Sequence, residues 1–295
     1  MVMDVDLLDG AIDLHIHAGP SLFPRLMDAR ETALAARKAG MRGIVIKHHH
    51  VPTVERGYFV SKSVPGVDVI GGVTLNYAVG GLNPFAVDAA LKLGGRIVWM
   101  PSADALNHVR HFGELGKYGS RFDYERPRIY EGKKGITILD EDRRLRPSVH
   151  EILDVIADAD AAIATSHLDV MESKALVSEA RRRSIRTVVT HVAFVTASLS
   201  VEDQRWMAER GAYLELCYNS LTPAWKSTTI EDVASTIREV GSEHYILASD
   251  LGQVHNPPPP EGLRRYITLL LERGFEPDEI RLMVKDNPER LLGLD

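Results

Sequence analysis

Four histidines and one aspartate, spread along the chain, carry the side chains best suited to chemistry in this sequence. Two of them, His15 and His17, stand in the stretch AIDLHIHAGP at positions 11–20, where apolar and polar residues alternate. Alternation is the period of a β-strand, so both imidazoles should project from the same face. Two imidazoles side by side at a strand end can bind one metal ion. Because His-x-His also arises by chance, its significance depends on the rest of the chain.

The other three residues each end a later apolar run. His167 ends the run AIATSH, His191 ends TVVTH, and Asp250 ends YILASD. Imidazole nitrogens and carboxylate oxygens are the ligands that zinc and similar divalent ions prefer. Any one of these residues alone could be an ordinary hydrogen-bonded group near a strand end. Five of them at matching positions predict a metal site, provided that the fold brings the strand ends together.

Eight short apolar segments alternate with helical segments along the chain. The predicted strands span residues 11–17, 43–47, 68–76, 96–100, 161–167, 186–193, 212–219 and 245–250. Parallel strands need crossover helices, and eight such units predict an α/β fold, a single closed (β/α)₈ TIM barrel. An open doubly wound sheet should carry a G-x-G-x-x-G turn after its first strand, and HAGPSLFPR lacks it. In a barrel the carboxyl ends of all strands meet at one face, which would gather the five residues.

We expect one domain over residues 1–295, with an insertion at about 104–147 between strands four and five. Within the insertion, GITIL and RLRPS indicate a small hairpin, and Ser148 is predicted to cap the helix that follows. Four consecutive prolines, Pro257–Pro260, predict a stiff extended loop. The insertion and this loop are candidates for a lid over the site.

Composition excludes several classes of partner. The 295 residues have a formal charge of −6 and contain no basic run that would follow a phosphate backbone, so nucleic acid is not expected. A single cysteine, Cys217, suits a reducing compartment. The acidic start MVMDVDLLDG and the absence of a long apolar run predict a cytoplasmic protein without membrane contact. Exposed barrel helices often pair, so a homo-oligomer is one expectation.

Several motifs resemble the amidohydrolase superfamily of metal-dependent hydrolases, within which the chain looks closest to a group of uncharacterised function. These motifs are DLHIHAG, TSH, VVTH, ASD and the closing helix DNPERLLGL. The resemblance implies that His15 and His17 bind the more buried metal. It implies that His167 and His191 bind a second ion, or that one binds the first ion while the other polarises the substrate. Asp250 would contact the metal and accept a proton from the attacking water.

The resemblance leaves the number of metals open. Two-metal members usually bridge the ions with a carboxylated lysine or a glutamate on strand four, but RIVWMPS offers neither. Lys47, at the end of strand two, could become a bridging carbamate, could bind a substrate carboxylate as a cation, or could be a solvated strand end. One or two ions are therefore expected, with zinc first and manganese or iron as alternatives.

Substrate contacts are predicted around the same face. Arg25 in the loop after strand one could hold an anionic group by a bidentate contact, and Asn76 ends strand three. In the run His48-His49-His50, at most His49 shares the direction of Lys47. Glu215 and Cys217 share a face of strand seven, but a lone thiol without a paired histidine does not predict a nucleophile.

The leading hypothesis is a hydrolase that uses metal-activated water to cleave an amide, cyclic amide or lactone in a small anionic substrate. A one-metal decarboxylase is the first alternative. A phosphoesterase is less suited, because it would need additional metal ligands on strand four. A metal-stabilised scaffold protein is the non-enzymatic alternative, and it predicts a coordination shell closed to substrate.

Overall fold

Nine short parallel strands form the centre of the fold in a computed structural model, which describes residues 7–119, 123–125 and 128–294. They are β1 (Ile12–Ile16), β2 (Gly43–Ile46), β3 (Asp68–Ile70), β4 (Gly72–Thr74), β5 (Ile97–Trp99), β6 (Ala162–Ala164), β7 (Thr187–Val189), β8 (Tyr213–Cys217) and β9 (Tyr245–Ala248). Each lies at one of the eight predicted strand positions. The predicted third strand is divided in two, as β3 and β4.

The strands pair in sequence order as two parallel sheets, β1-β2-β3 and β4-β5-β6-β7-β8-β9. The division falls at Gly71, where a Cβ atom would lie 2.5 Å from the backbone carbonyl of Thr53. Only glycine fits there, so the strand bends and each half pairs with a different neighbour. At the other junction, Ile16 and Leu251 form an isolated parallel bridge between the ends of β1 and β9. The structure thus shows an α/β fold with parallel sheets rather than one continuous hydrogen-bonded ring.

A central apolar cluster lies between the strands and contains residues from all of them except β4. Its strand members are Ile12, Leu14, Val45, Ile70, Ile97, Trp99, Ala162, Ala164, Val188, Cys217, Ile246 and Ala248. Leu291 and Leu292 of the last helix join the same cluster. Ile16 instead belongs to a second apolar cluster, which also contains Ala33 and Leu263. A register shift between Asp13 and Ile16 interrupts the alternation in β1 and accounts for the difference. Ile12 and Leu14 therefore pack in the central cluster, whereas Ile16 does not.

Helices follow the strands along the chain. They are α1 (Ala29–Lys38), α2 (Val54–Ser63), α3 (Pro84–Lys92), α4 (Leu106–Phe112), α5 (Pro147–Asp158), α6 (Val170–Arg182), α7 (Val201–Ala208), α8 (Ile230–Val240), α9 (Pro259–Leu271), α10 (Pro277–Arg281) and α11 (Asn287–Leu292). Ser148 lies inside α5 and does not cap it, because Pro147 occupies the first helical position after Arg146. Pro259 and Pro260 begin α9, so only part of the proline run is extended.

The segment between β5 and α5 contains α4 and a 3₁₀ turn at Arg128–Tyr130. An antiparallel bridge between Leu139 and Leu145 lies where the hairpin was predicted. The predicted insertion, about 104–147, includes residues 120–122 and 126–127, which lie outside the described residues. Within the described part of the chain, no helix combines the length and the apolar character needed to cross a membrane.

Candidate metal centre

Three buried side chains from the ends of β1 and β9 converge on one point. The Nε2 atom of His15 lies 3.3 Å from Oδ1 of Asp250, and Nε2 of His17 lies 3.1 Å from the same oxygen. The backbone fixes this arrangement, since Asp250 N–H donates to the carbonyl of His15 at 2.8 Å. Asp250 also has a left-handed backbone conformation with φ of 51°, which turns it away from the regular strand.

The hydrogen bond on the far side of the His17 ring determines its protonation. Its Nδ1 atom lies 3.1 Å from the carbonyl oxygen of Lys47. A carbonyl only accepts, so Nδ1 carries the proton. Burial, together with the charge of Arg25, lowers the pKa of His17 to about 3, so the ring is neutral and Nε2 presents a lone pair to Asp250. A lone pair and a carboxylate oxygen at this distance repel each other unless a cation lies between them.

Glu215 orients His15 in the same way. Its Oε2 atom lies 3.2 Å from Nδ1 of His15 and accepts the backbone N–H of His191 at 3.0 Å. Burial alone would raise the pKa of Glu215, but the neighbouring charge and hydrogen bond of His15 outweigh it and lower the pKa, so the group is ionised. Donation from Nδ1 to Glu215 leaves Nε2 of His15 as the inward-facing ligand.

Glu215 has this role although the sequence prediction did not place it in the site. The available signal was an acidic residue within the apolar run YLELC of β8, on the face that also carries Cys217. The sulfur of Cys217 lies 4.0 Å from Nδ1 of His15, and burial raises the pKa of its thiol well above the ordinary value. A neutral thiol is a poor nucleophile.

These donors fit a divalent cation. Burial would raise the pKa of Asp250, but positive charge at the ring nitrogens of His15 and His17 lowers it far below its usual range. With these rings neutral, a bound cation would supply that charge and keep the carboxylate ionised. The three ligand atoms lie within 4.8 Å of one another. Two imidazole nitrogens and one carboxylate oxygen, with the other ring nitrogens held by hydrogen bonds, are typical of catalytic zinc sites.

His167 and His191 lie beside this group, with 4.9 Å between their ring centroids. Nδ1 of His167 lies 2.8 Å from Nδ1 of His108, whose Nε2 donates to the carbonyl of Lys117 at 2.7 Å. His108 therefore accepts from His167, and Nε2 of His167 is left with a lone pair. His108 comes from α4, where no strand pattern could have placed it in the site.

The ring of His191 is the second neighbour of the metal centre, stacked against His15 at 6.0 Å. Its Nδ1 atom is buried without a hydrogen-bond partner among the described residues. Burial, followed by the charge of Lys47, lowers the pKa of His191 to about 4, so the ring is neutral near pH 7. A neutral, unpaired ring nitrogen at this position suits a metal ion or a polar atom of a substrate.

Lys47 is almost completely buried, with 1% of its surface exposed. Its Nζ lies 5.9 Å from the ring centre of Trp99, and burial lowers its pKa although the charges of Asp250 and Glu215 oppose the change. Within the described part of the chain, its amine forms no direct hydrogen bond or ion pair that would explain its burial. The amine is therefore available to a ligand of the cavity.

Eight of the nine predicted site residues line one cavity, and Asn76 is the exception. The amide nitrogen of Asn76 donates to the carbonyl of His49 and to Ser102, both at 2.9 Å. Its amide oxygen accepts the backbone N–H groups of Ser102 and Asp104. Asn76 thus connects three loops behind the cavity and has little capacity left for a substrate.

Arg25 and His49 also line the cavity. The ring of His49 stacks on His17 at 4.9 Å, and its Nδ1 lies 3.0 Å from the hydroxyl of Ser102. Nε of Arg25 is buried without a partner among the described residues. Burial lowers the pKa of Arg25 only to about 10, so it remains a cation near pH 7. The metal centre therefore opens onto a cavity that carries positive charge.

Solved structures share this fold over nearly the whole chain. An amidohydrolase from Pseudomonas aeruginosa is 14% identical, with a TM-score of 0.65 and coverage of 97% of both chains. The probable dipeptidase PvdM from the same organism is 12% identical, with a TM-score of 0.66 and coverage of 96% of this chain and 94% of that one. A 2,6-dihydroxybenzoate decarboxylase from Rhizobium is 11% identical, with a TM-score of 0.57 and coverage of 97% of this chain and 99% of that one. Identities this low establish a common fold alone.

Sequence comparison is more specific about family than about activity. A search of curated proteins finds no match. The sequence profile of a family of unknown function, DUF6282, matches residues 10–215, a stretch that includes His15, His17, His167, His191 and Glu215. Since the match spans more than half of the 295 residues, the protein belongs to this family of unknown function, DUF6282.

Proposed function

We propose that the protein is a metal-dependent hydrolase of the amidohydrolase superfamily that cleaves an amide, cyclic amide or lactone in a small anionic substrate. The main support for this proposal is the geometry of the metal centre. The Nε2 atoms of His15 and His17 both lie close to one oxygen of Asp250, and all three residues line the cavity. The similar folds of an amidohydrolase and a probable dipeptidase support the reaction class. We also propose that the two sheets together form a (β/α)₈ barrel, since β1 and β9 meet through Ile16 and Leu251.

His15, His17 and Asp250 would hold the cation, with zinc as the first candidate. A divalent ion there would supply Lewis-acid activation of water and of a substrate carbonyl. Asp250 is ionised and can accept a proton, and Asn219 donates to its second oxygen at 3.2 Å, which holds the carboxylate in place. His191 lines the same cavity, where its ring can position or polarise the bond to be cleaved.

The charges around the site favour an anionic substrate. Asp250 and Glu215 would neutralise a divalent cation, so neither would then balance the charge of Arg25, or that of Lys47 when it is protonated. Two buried cations facing one cavity are unfavourable until an anion enters. A scaffold protein would instead be expected to close its coordination shell, whereas these three ligands border open space.

Metal content tests the proposal directly. We expect the purified protein to bind one zinc ion per chain, and replacement of His17 with glutamine to weaken zinc binding by at least about a hundredfold. His48→Gln is the matched control, because both ring nitrogens of His48 contact backbone groups of Pro20, His50 and Val51. A folded protein that takes up no zinc, or equal losses in both variants, would contradict the metal site.

Activity is then measured with the metal-loaded protein on a panel of an N-acyl amino acid, a carboxylated lactone, an aryl ester, a phosphoester and a hydroxybenzoate. Hydrolysis of the amide, lactone or ester supports the proposal. Release of carbon dioxide from the hydroxybenzoate as the only reaction would favour a decarboxylase instead. Turnover of the phosphoester alone would indicate a phosphoesterase.

Lys47 provides a separate prediction. We propose that its amine contacts the substrate, and we expect Lys47→Met to leave one zinc per chain while kcat/KM falls by about ten- to a hundredfold. Methionine retains much of the side-chain volume against Trp99, so the core should tolerate the change. Loss of a second bound ion in this variant would show that a carboxylated Lys47 bridges two metals. Unchanged kinetics would show that Lys47 has no role in the reaction.

A further inference from the structure

Four aromatic side chains form one wall of the cavity, and we call this set the aromatic wall. Its members are Phe23, Tyr118, Phe194 and Trp225. Ring centroids are 5.6 Å apart between Phe23 and Tyr118, 5.8 Å between Tyr118 and Trp225, and 5.1 Å between Trp225 and Phe194. The contacts are edge-to-face, with interplanar angles of 77°, 68° and 69°. Four segments that are distant in sequence thus build one continuous aromatic surface.

The aromatic wall connects the metal centre with a cation. At one end, Phe194 lies 4.9 Å from the ring of His191. At the other end, the guanidinium carbon of Arg25 lies 5.6 Å from the ring centre of Phe23. A ligand that lies along the wall therefore has His191 at one edge and a positive charge at the other.

Two buried donors of this surface have no partner within the described residues. They are Nε of Arg25 and the indole Nε1 of Trp225. Buried donors are nearly always satisfied, and a buried cation without a counterion is especially unfavourable. A carboxylate can satisfy the guanidinium with paired hydrogen bonds, and an acceptor on a ring can satisfy the indole.

We propose that the ligand of this cavity is a small, flat, unsaturated ring that carries a carboxylate. The carboxylate pairs with Arg25, the ring stacks against the aromatic wall, and the bond to be cleaved lies at the His191 edge. This inference rests on the proposed function for its reaction, but the ring and the charge follow from the wall and Arg25 alone. Saturated or uncharged compounds of similar size lose one of the two interactions.

Binding of three matched probes tests the inference on the protein as purified, by isothermal titration calorimetry. Benzoate has the ring and the charge, cyclohexanecarboxylate has the charge without the flat ring, and benzamide has the ring without the charge. We expect benzoate to bind at least about tenfold more tightly than either of the others. Any direct contact between carboxylate and metal would contribute to benzoate and cyclohexanecarboxylate alike, so their difference isolates the ring.

Arg25→Gln should weaken benzoate about ten- to a hundredfold and leave benzamide unchanged. The control is Arg110→Gln, since the Arg110 side chain is 62% exposed and lies outside the cavity lining. In Trp225→Phe, benzoate should still bind better than cyclohexanecarboxylate, because a ring is retained. Equal binding of the three probes, or an Arg25→Gln variant that folds and binds benzoate normally, would overturn the inference.

The same data separate this inference from the proposed function. Selective benzoate binding without turnover of any panel compound would leave the ligand class standing and remove the hydrolase. Turnover of an acyclic or uncharged substrate, with no preference for benzoate, would leave the hydrolase standing and remove the ligand class.

Discussion

Asp250→Asn is expected to lower kcat/KM by at least about a thousandfold on the panel compound that the unaltered protein hydrolyses. The asparagine side chain introduced at position 250 has the same size as aspartate, and its amide oxygen can still accept the hydrogen bond from Asn219. It removes the negative charge that faces His15 and His17, and it removes the group that accepts a proton. Rates should be measured at saturating zinc, so that weaker metal binding does not account for the loss.

A matched control is available at Asp104, which is also buried and lies near the site without lining the cavity. One of its carboxylate oxygens accepts the backbone N–H of Tyr77 at 2.9 Å, a bond that an asparagine oxygen can preserve. We expect Asp104→Asn to change kcat/KM by less than about threefold. An Asp250→Asn variant that retains activity within about tenfold would exclude Asp250 as the essential base.

The convergence of His15, His17 and Asp250 could be predicted because it depends on a general property of parallel strands. Each residue follows an apolar run, and carboxyl ends of such strands lie at one face of the fold. Lys47 and His191 lie at the cavity for the same reason. Such a prediction requires only the positions of the strands in the sequence, and it does not require knowledge of side-chain contacts between strands.

Residues whose role depends on packing could not be placed in advance. His108 lies in α4, between strands, and reaches His167 only because the segment folds over the cavity. Glu215 was predicted to share a face of its strand with Cys217, but nothing in the sequence shows that His15 lies opposite. Asn76 lies two residues beyond the end of β4, and its amide turns toward the loops of Ser102 and His49. These outcomes depend on side-chain geometry across strands.

The division of the third strand had a local signal that could have been used. Gly71 and Gly72 are adjacent, and glycine inside a strand pattern often marks a bend or a close approach of backbone. A Cβ atom at Gly72 would lie 2.0 Å from the carbonyl oxygen of Ile97. The register shift in β1 has no comparable signal, because its residues alternate regularly.

Acid should destabilise the metal-free protein strongly, because several buried histidines are held in the neutral form. Burial lowers the pKa of His17 and His48 to about 3 and that of His191 to about 4, and it lowers the pKa of His49 and His167 well below 6.5. The unfolded chain binds protons at these five residues once the pH falls below about 6.5, whereas the folded chain does not. Stability is therefore present above this pH and is lost as the pH falls.

The size of the effect follows from proton linkage. Each such histidine should cost about 1.2 kcal/mol of unfolding free energy between about pH 7 and about pH 5.5, or about 6 kcal/mol for five. Asp13 acts in the opposite direction, because burial raises its pKa to about 6 and its folded form takes up a proton first. That gain is about 0.8 kcal/mol, so the net loss is about 5 kcal/mol, comparable with the whole stability of many domains.

Urea denaturation with a chelator present, at about pH 7 and about pH 5.5, measures this loss. His48→Gln should recover about 1 kcal/mol of it, since His48 contributes one of the five protons and lies outside the cavity lining. The same change at the exposed His111 controls for the loss of an imidazole in general. Saturating zinc should add stability at both pH values, because the cation binds only the folded chain. An unfolding free energy that does not change with pH would mean that the histidines of the folded protein become protonated, and the neutral ligand set proposed for the metal would then be wrong.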